Sequence, residues 1–162
     1  MWLAGEFPMK IIVSSAALAA VLMLGAAGAG AAQDSSLTPN FGTATLRAGF
    51  QPDPHVVELR AGGDQDASRI NGCAGMVSRA PDYRVNYTAG SGLALTFRVN
   101  SSTDTTLVIN GPDGRWSCND DTGGSLNPGI VYRSPASGQY DVWVGVFGSD
   151  TPTARLRITE ME

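Results

Sequence analysis

The chain has 162 residues, 16% of them charged, a formal net charge of −4 and two cysteines. A mildly acidic chain whose only lysine is Lys10 has no Lys cluster to neutralise a phosphate backbone, which excludes nucleic acid as a natural partner. No polybasic or amphipathic stretch suits docking on a membrane surface.

In chain order, Lys10 precedes an apolar run over 11–24 and a Gly/Ala stretch over 25–32. Positive start, short apolar segment and small-residue zone describe a cleavable secretory signal peptide, residues 1–32, with cleavage expected after Ala32. The run is shorter than the ~20 residues that span a bilayer. Met9 is a more natural start than Met1, so residues 1–8 read as an over-extended start. The mature chain, from Gln33, is then periplasmic or secreted and holds no integral membrane segment. Its length suits one domain.

Residues 33–39 read as a flexible tail. Beyond them, short β-type runs alternate with Gly, Pro, Asp and Ser breaks, and no segment keeps a helical period. Strands are expected at 41–47, 56–60, 83–88, 93–100, 105–110, 115–119, 130–133, 140–147 and 154–159. The pattern predicts an all-β fold: a single antiparallel β-sandwich, jelly-roll-like, of about nine short strands over residues 40–162. Leu95, Phe97 and Val99 alternate with Arg98; Leu156 and Ile158 alternate with Arg155 and Arg157. Run 140–147 is apolar on both faces, as a central covered strand would be. Residues 65–77 carry no clear signal.

Gly111-Pro112-Asp113-Gly114 reads as the turn of a β-hairpin. Pairing about Gly111 and Gly114 sets Leu107 opposite Cys118, Ile109 opposite Trp116 and Asp104 opposite Asp121. Like charges facing each other across a ladder are destabilising. A cation would relieve them, so Asp104, Asn119, Asp120 and Asp121 are candidate ligands for a structural Ca²⁺, the hard cation suited to oxygen donors. A solvated turn is the alternative, and the segment lacks the EF-hand order. Trp116, Asp141 and Trp143 are candidates for a ligand-binding face, since an indole beside a carboxylate suits sugar rings or peptide side chains; the alternative places both tryptophans in the core. Cys73 and Cys118, an even count in an exported chain, are expected to form a disulfide. With His55 the only histidine, neither a zinc site nor a Ser/His/Asp triad is legible.

The run from Asp104-Thr-Thr-Leu through the Gly-Pro-Asp-Gly turn to Asn119-Asp-Asp121, then Pro135-Ala-Ser-Gly-Gln-Tyr140 and an apolar strand, resembles the bacterial pre-peptidase C-terminal (PPC-like) domains. The likeness covers about residues 93–159. It implies a compact β-sandwich on a secreted protein, in some members calcium-binding, and it implies no peptidase activity. The expectation is an exported, non-catalytic binding or accessory module for a polysaccharide or an extracellular or periplasmic protein. A secreted peptidase or glycosidase with an unrecognised carboxylate site, and a structural envelope component, are the alternatives.

Overall fold

A computed structural model describes residues 33–161. The expected signal peptide lies outside the described residues. Eleven strands form: β1 (Thr43–Arg47), β2 (His55–Arg60), β3 (Gln65–Asp66), β4 (Met76–Val77), β5 (Tyr83–Thr88), β6 (Leu95–Asn100), β7 (Thr105–Asn110), β8 (Trp116–Asn119), β9 (Gly129–Tyr132), β10 (Gly138–Val146) and β11 (Thr153–Thr159). A 3₁₀ turn, Ala67–Arg69, sits between β3 and β4, with the Asp66 carboxylate accepting from Ser68 N at 2.9 Å. Among the described residues no helix is long and apolar enough to cross a membrane.

The strands form two packed sheets, an all-β sandwich. In the second sheet the order is β2-β11-β6-β9. In the first, β10 is central, with β5 and then β4 along one edge and β7 along the other. The nine expected strands are present; β3 and β4 are additional. The sandwich is mixed rather than purely antiparallel, because β1 pairs parallel with β5, Thr43 opposite Arg84 to Arg47 opposite Thr88. Parallel neighbours need a long crossover. Here the chain passes through β2, in the other sheet, and through the 61–82 excursion before it returns.

Leu107, Ile109, Val142 and Val144 from one sheet meet Leu95, Phe97, Leu156 and Ile158 from the other, all fully buried. The outer face of the first sheet is covered too. Arg84 Nε donates to Asp141 Oδ1 at 2.6 Å, and its Nη2 reaches the carbonyls of Ser35 and Leu37 at 2.6 and 3.1 Å. That ties the segment expected to be a loose tail down onto β5 and β10.

The β10 edge has a gap between β5 and β4, which Asp82 fills. Its Oδ2 accepts from Val144 N at 2.8 Å, its Oδ1 accepts from Ser78 Oγ at 3.0 Å and Asn40 Nδ2 at 3.3 Å, and Gly62 N donates to Val144 O. Burial pushes the Asp82 carboxyl up to about 6, against the downward pull of these donors. The folded state therefore holds this proton more tightly than the unfolded chain does. Its stabilisation is full below about pH 4 and is lost as pH rises to about 6, a decline of ~3 kcal/mol. Asp82→Asn should remove that slope, measured as the difference in denaturation midpoint between wild type and variant across this range. The difference matters because burial lowers the His55 pKa and gives a slope of opposite sign.

Candidate functional site

The expected hairpin forms, but one residue out of register. Leu107 faces Asn119, Val108 faces Cys118 and Asn110 faces Trp116. The physical reason is Pro112. A two-residue hairpin loop needs φ > 0 at its first central position, which proline cannot adopt. The loop is instead three residues long: Gly114 N bonds Gly111 O, Gly111 N bonds Arg115 O, and Gly114 supplies the left-handed conformation at φ +74°. A one-residue shift moves side chains to the other face. Cys118 therefore joins Val108 and Trp143 on the outer face of the first sheet, rather than Leu107 in the core.

That outer face carries a second, smaller core of Ala67, Cys73, Val77, Val108 and Trp143, with Ile70, Trp116 and Cys118 packed against it. The Cys73–Cys118 disulfide holds it shut. The indoles of Trp116 and Trp143 lie 5.3 Å apart. This corrects the expected ligand-binding face. Trp143 is 0% exposed and Asp141 2%, the latter committed to Arg84 and to Gln139 Nε2 at 2.7 Å. Trp116 is partly buried, its ring tilted 43° to that of Trp143.

Asn119, Asp120 and Asp121 are consecutive, and Asp104 comes to the same end of the hairpin from the start of β7. Asn119 Oδ1 accepts from Thr122 Oγ1 at 2.7 Å and Gly129 N at 2.9 Å, and its Nδ2 donates to Asp121 O, so the carboxamide braces its own loop. Gly123 and Gly124, both at positive φ, close a tight turn between Thr122 and Ser125. Asp120 and Asp121 are exposed. Asp104 Oδ1 is buried without a hydrogen-bond partner. Among the described residues no group of three or more His, Cys, Asp or Glu side chains could hold a metal ion. The register that set Asp104 opposite Asp121 is also not the one formed. The residues present thus fit a calcium ion poorly. Melting of the mature protein is expected to be unchanged by excess chelator; a fall reversed by Ca²⁺ and absent in Asp104→Asn would restore the ion.

The structure supplies a site that the sequence reading missed. A cleft of about 240 Å³ opens beside the hairpin tip, lined by Gly111, Pro112, Asp113, Arg115, Ser117, Tyr132, Ser134, Ala136 and Tyr140. It lies where β8 of one sheet approaches β9 of the other. The Tyr132 and Tyr140 rings meet edge to face at 5.2 Å and rest on Phe97. Tyr140 Oη donates to Ala136 O at 2.8 Å. Tyr132 Oη is buried beside Ser117 without a well-formed hydrogen bond. Burial raises both phenols, Tyr140 to about 12, so both stay protonated. At the mouth, Asp113 Oδ1 accepts from Arg115 N at 3.1 Å, and Oδ2 lies 3.4 Å from Arg115 Nε. Gly138 lets the tip dock: a Cβ there would fall 2.7 Å from Pro112 Cβ.

No known family model matches this chain, and neither does any curated protein. A solved structure that resembles it is that of Aeromonas hydrophila PliG, a periplasmic lysozyme inhibitor of g-type lysozyme. That likeness covers 73% of this chain and 96% of the other at 15% identity and a TM-score of 0.39, and it assigns no residue here a role.

The cleft was partly signalled. The Gly-Pro-Asp-Gly turn and the Pro135–Tyr140 run, read separately in the sequence, are the two walls that meet through Pro112 and Gly138. What linear reading lacked was their adjacency.

Proposed function

We propose that the protein is an exported, non-catalytic binding module of the PPC-like kind, whose cleft beside the hairpin tip takes one ring-sized group of a polysaccharide. The observation that carries this is the buried Tyr132 hydroxyl with no well-formed hydrogen bond, at the floor of a cleft rimmed by Ser117, Ser134, Asp113 and Arg115. At about 240 Å³ the cleft lies just below the ~300–1,000 Å³ of pockets for drug-sized ligands, room for one small ring-sized group. Aromatic rings offer an apolar platform, hydroxyls and a guanidinium donate, and a carboxylate accepts; few, well-placed polar groups on an apolar floor define such sites. The lining supports the non-catalytic reading, since it includes one carboxylate, Asp113, where glycoside hydrolysis uses two. His55 is engaged elsewhere, with Nε2 3.0 Å from Tyr83 Oη.

The test is retention of the mature protein on immobilised neutral polysaccharides (cellulose, xylan, amylose, chitin). Tyr132→Phe should weaken retention about threefold to tenfold, the worth of one hydrogen bond, while leaving stability equal or higher because an unsatisfied buried hydroxyl is removed. Retention unaffected by Tyr132→Phe and Arg115→Ala would move binding away from the cleft. Turnover of glycan lost in Asp113→Asn would make it a hydrolase. Retention of a protein partner alone, or no retention with co-purification of envelope material, would replace the polysaccharide reading with the other two.

A further inference from the structure

The second sheet runs from β9, beside the cleft, to β2 at its far edge, and β2 pairs with β11 alone. Ala61 N donates to Pro152 O, which sets the phase of that ladder. Bonded positions alternate along an antiparallel pair. His55, Val57 and Leu59 therefore turn their backbone groups toward β11. Val56, Glu58 and Arg60 turn theirs outward, where no partner meets them among the described residues. Pro54, next in the same phase, has no N–H and stops the open edge there. Glu58 and Arg60 are exposed on the outer face, while Leu59 points into the core. Arg155 uses only Oε1 of Glu58, with Nε at 3.0 Å and Nη2 at 2.8 Å, and Arg60 Nη2 donates to Thr151 Oγ1 at 2.7 Å. The β9 edge is not open in this way: Gly129 N donates to Asn119 Oδ1, and Gly129 O accepts from Thr122 Oγ1.

We propose that β2 pairs antiparallel with β2 of a second copy of this chain, joining two four-stranded sheets into one continuous sheet. A two-fold ladder must set outward backbone groups against outward backbone groups, and charge selects among the registers that do so. Centred on Val57, Glu58 faces the partner's Val56 and Arg60 faces the partner's Pro54, so neither charge is matched and Pro54 supplies no donor. Centred on Glu58, the two Glu58 carboxylates oppose each other. Centred on Leu59, Glu58 of each copy faces the partner's Arg60, and Leu59 meets the partner's Leu59 on the core side. Glu58 then lies between Arg155 of its own chain and the partner's Arg60, with opposite charges alternating across the ladder. The occupant is a copy of this chain because one strand carries both halves of the match, an acid and a base two residues apart. Both clefts stay open at the outer ends of the joined sheet, so the dimer holds one polysaccharide at two places. That consequence rests on the cleft reading above; the pairing does not.

Analytical ultracentrifugation of the mature protein should show a monomer–dimer equilibrium with a Kd of about 10–500 μM, weak because a few edge bonds are set against the cost of association. Glu58→Arg and Arg60→Glu should each weaken self-association about tenfold or more, since each sets like charges opposite one another. Mixed together, the two variants should associate again, because each supplies the charge that the other lacks. Circular dichroism checks that both are folded. Amide exchange of the wild type tests the register without any variant. Glu58 and Arg60 amides should slow as concentration rises, while those of Val57 and Leu59, already turned to β11, stay unchanged. Tyr132→Phe should leave the association constant as it is, so the pairing and the cleft reading fail separately. A monomer at every concentration up to about 1 mM, a dimer that both variants retain, or no association in the mixture would each overturn the proposal.

Discussion

Arg84→Ala is expected to destabilise the protein by about 3–5 kcal/mol, because it strands the Asp141 carboxylate in a dry site. Asp141 is 2% exposed and Arg84 17%, with Nε and Oδ1 at 2.6 Å. The same guanidinium holds Ser35 O and Leu37 O, so the loss is both electrostatic and structural. Arg84→Lys keeps the charge but is a compact point donor without a planar fork, and should recover only part of the loss. Urea denaturation gives the magnitude. Limited proteolysis gives the location, since cleavage should appear within residues 33–41 in the alanine variant before anywhere else. A variant that melts like wild type would mean that the N-terminal segment and Asp141 do not depend on Arg84.

Loss of the Cys73–Cys118 bond should cost about 4 kcal/mol in the chain-entropy account for a loop of 45 positions. Geometry adds a local effect. The bond clamps the 65–77 excursion over Trp143, the largest fully buried side chain of the outer cluster. Reduction, or the Cys73→Ala/Cys118→Ala variant, should therefore red-shift tryptophan emission at temperatures below the global transition, as residues 65–77 lift from Trp143 and Trp116. Emission that moves only with global unfolding would show that the excursion is held by packing alone.

The strands were legible because their alternation is strong. Runs 83–88 and 105–110 match β5 and β7 residue for residue, and the two-sided apolar run at β10 is the central strand. β3 and β4 were not legible, because two-residue strands carry no period; the Cys73 tether and the approach to β10 define them. The hairpin error was avoidable in principle. Pro112 already excludes a two-residue loop, and counting to Gly114 as the left-handed residue gives the true register. That single step carried Cys118 and Trp116 to the wrong face, and with them the reason to seat a cation between Asp104 and Asp121. Asp82 was invisible for another reason: nothing local announces that a carboxylate will replace a missing strand at Val144. The cleft depends in the same way on contacts between segments distant in sequence.

The most direct test of the binding account is a ¹⁵N-resolved titration of the mature chain with the neutral oligosaccharide that retains it best. The account predicts saturable shifts confined to the amides of residues 111, 113–117, 132–134, 136 and 140, lost in Tyr132→Phe. Saturable shifts elsewhere, with these amides silent, would contradict it.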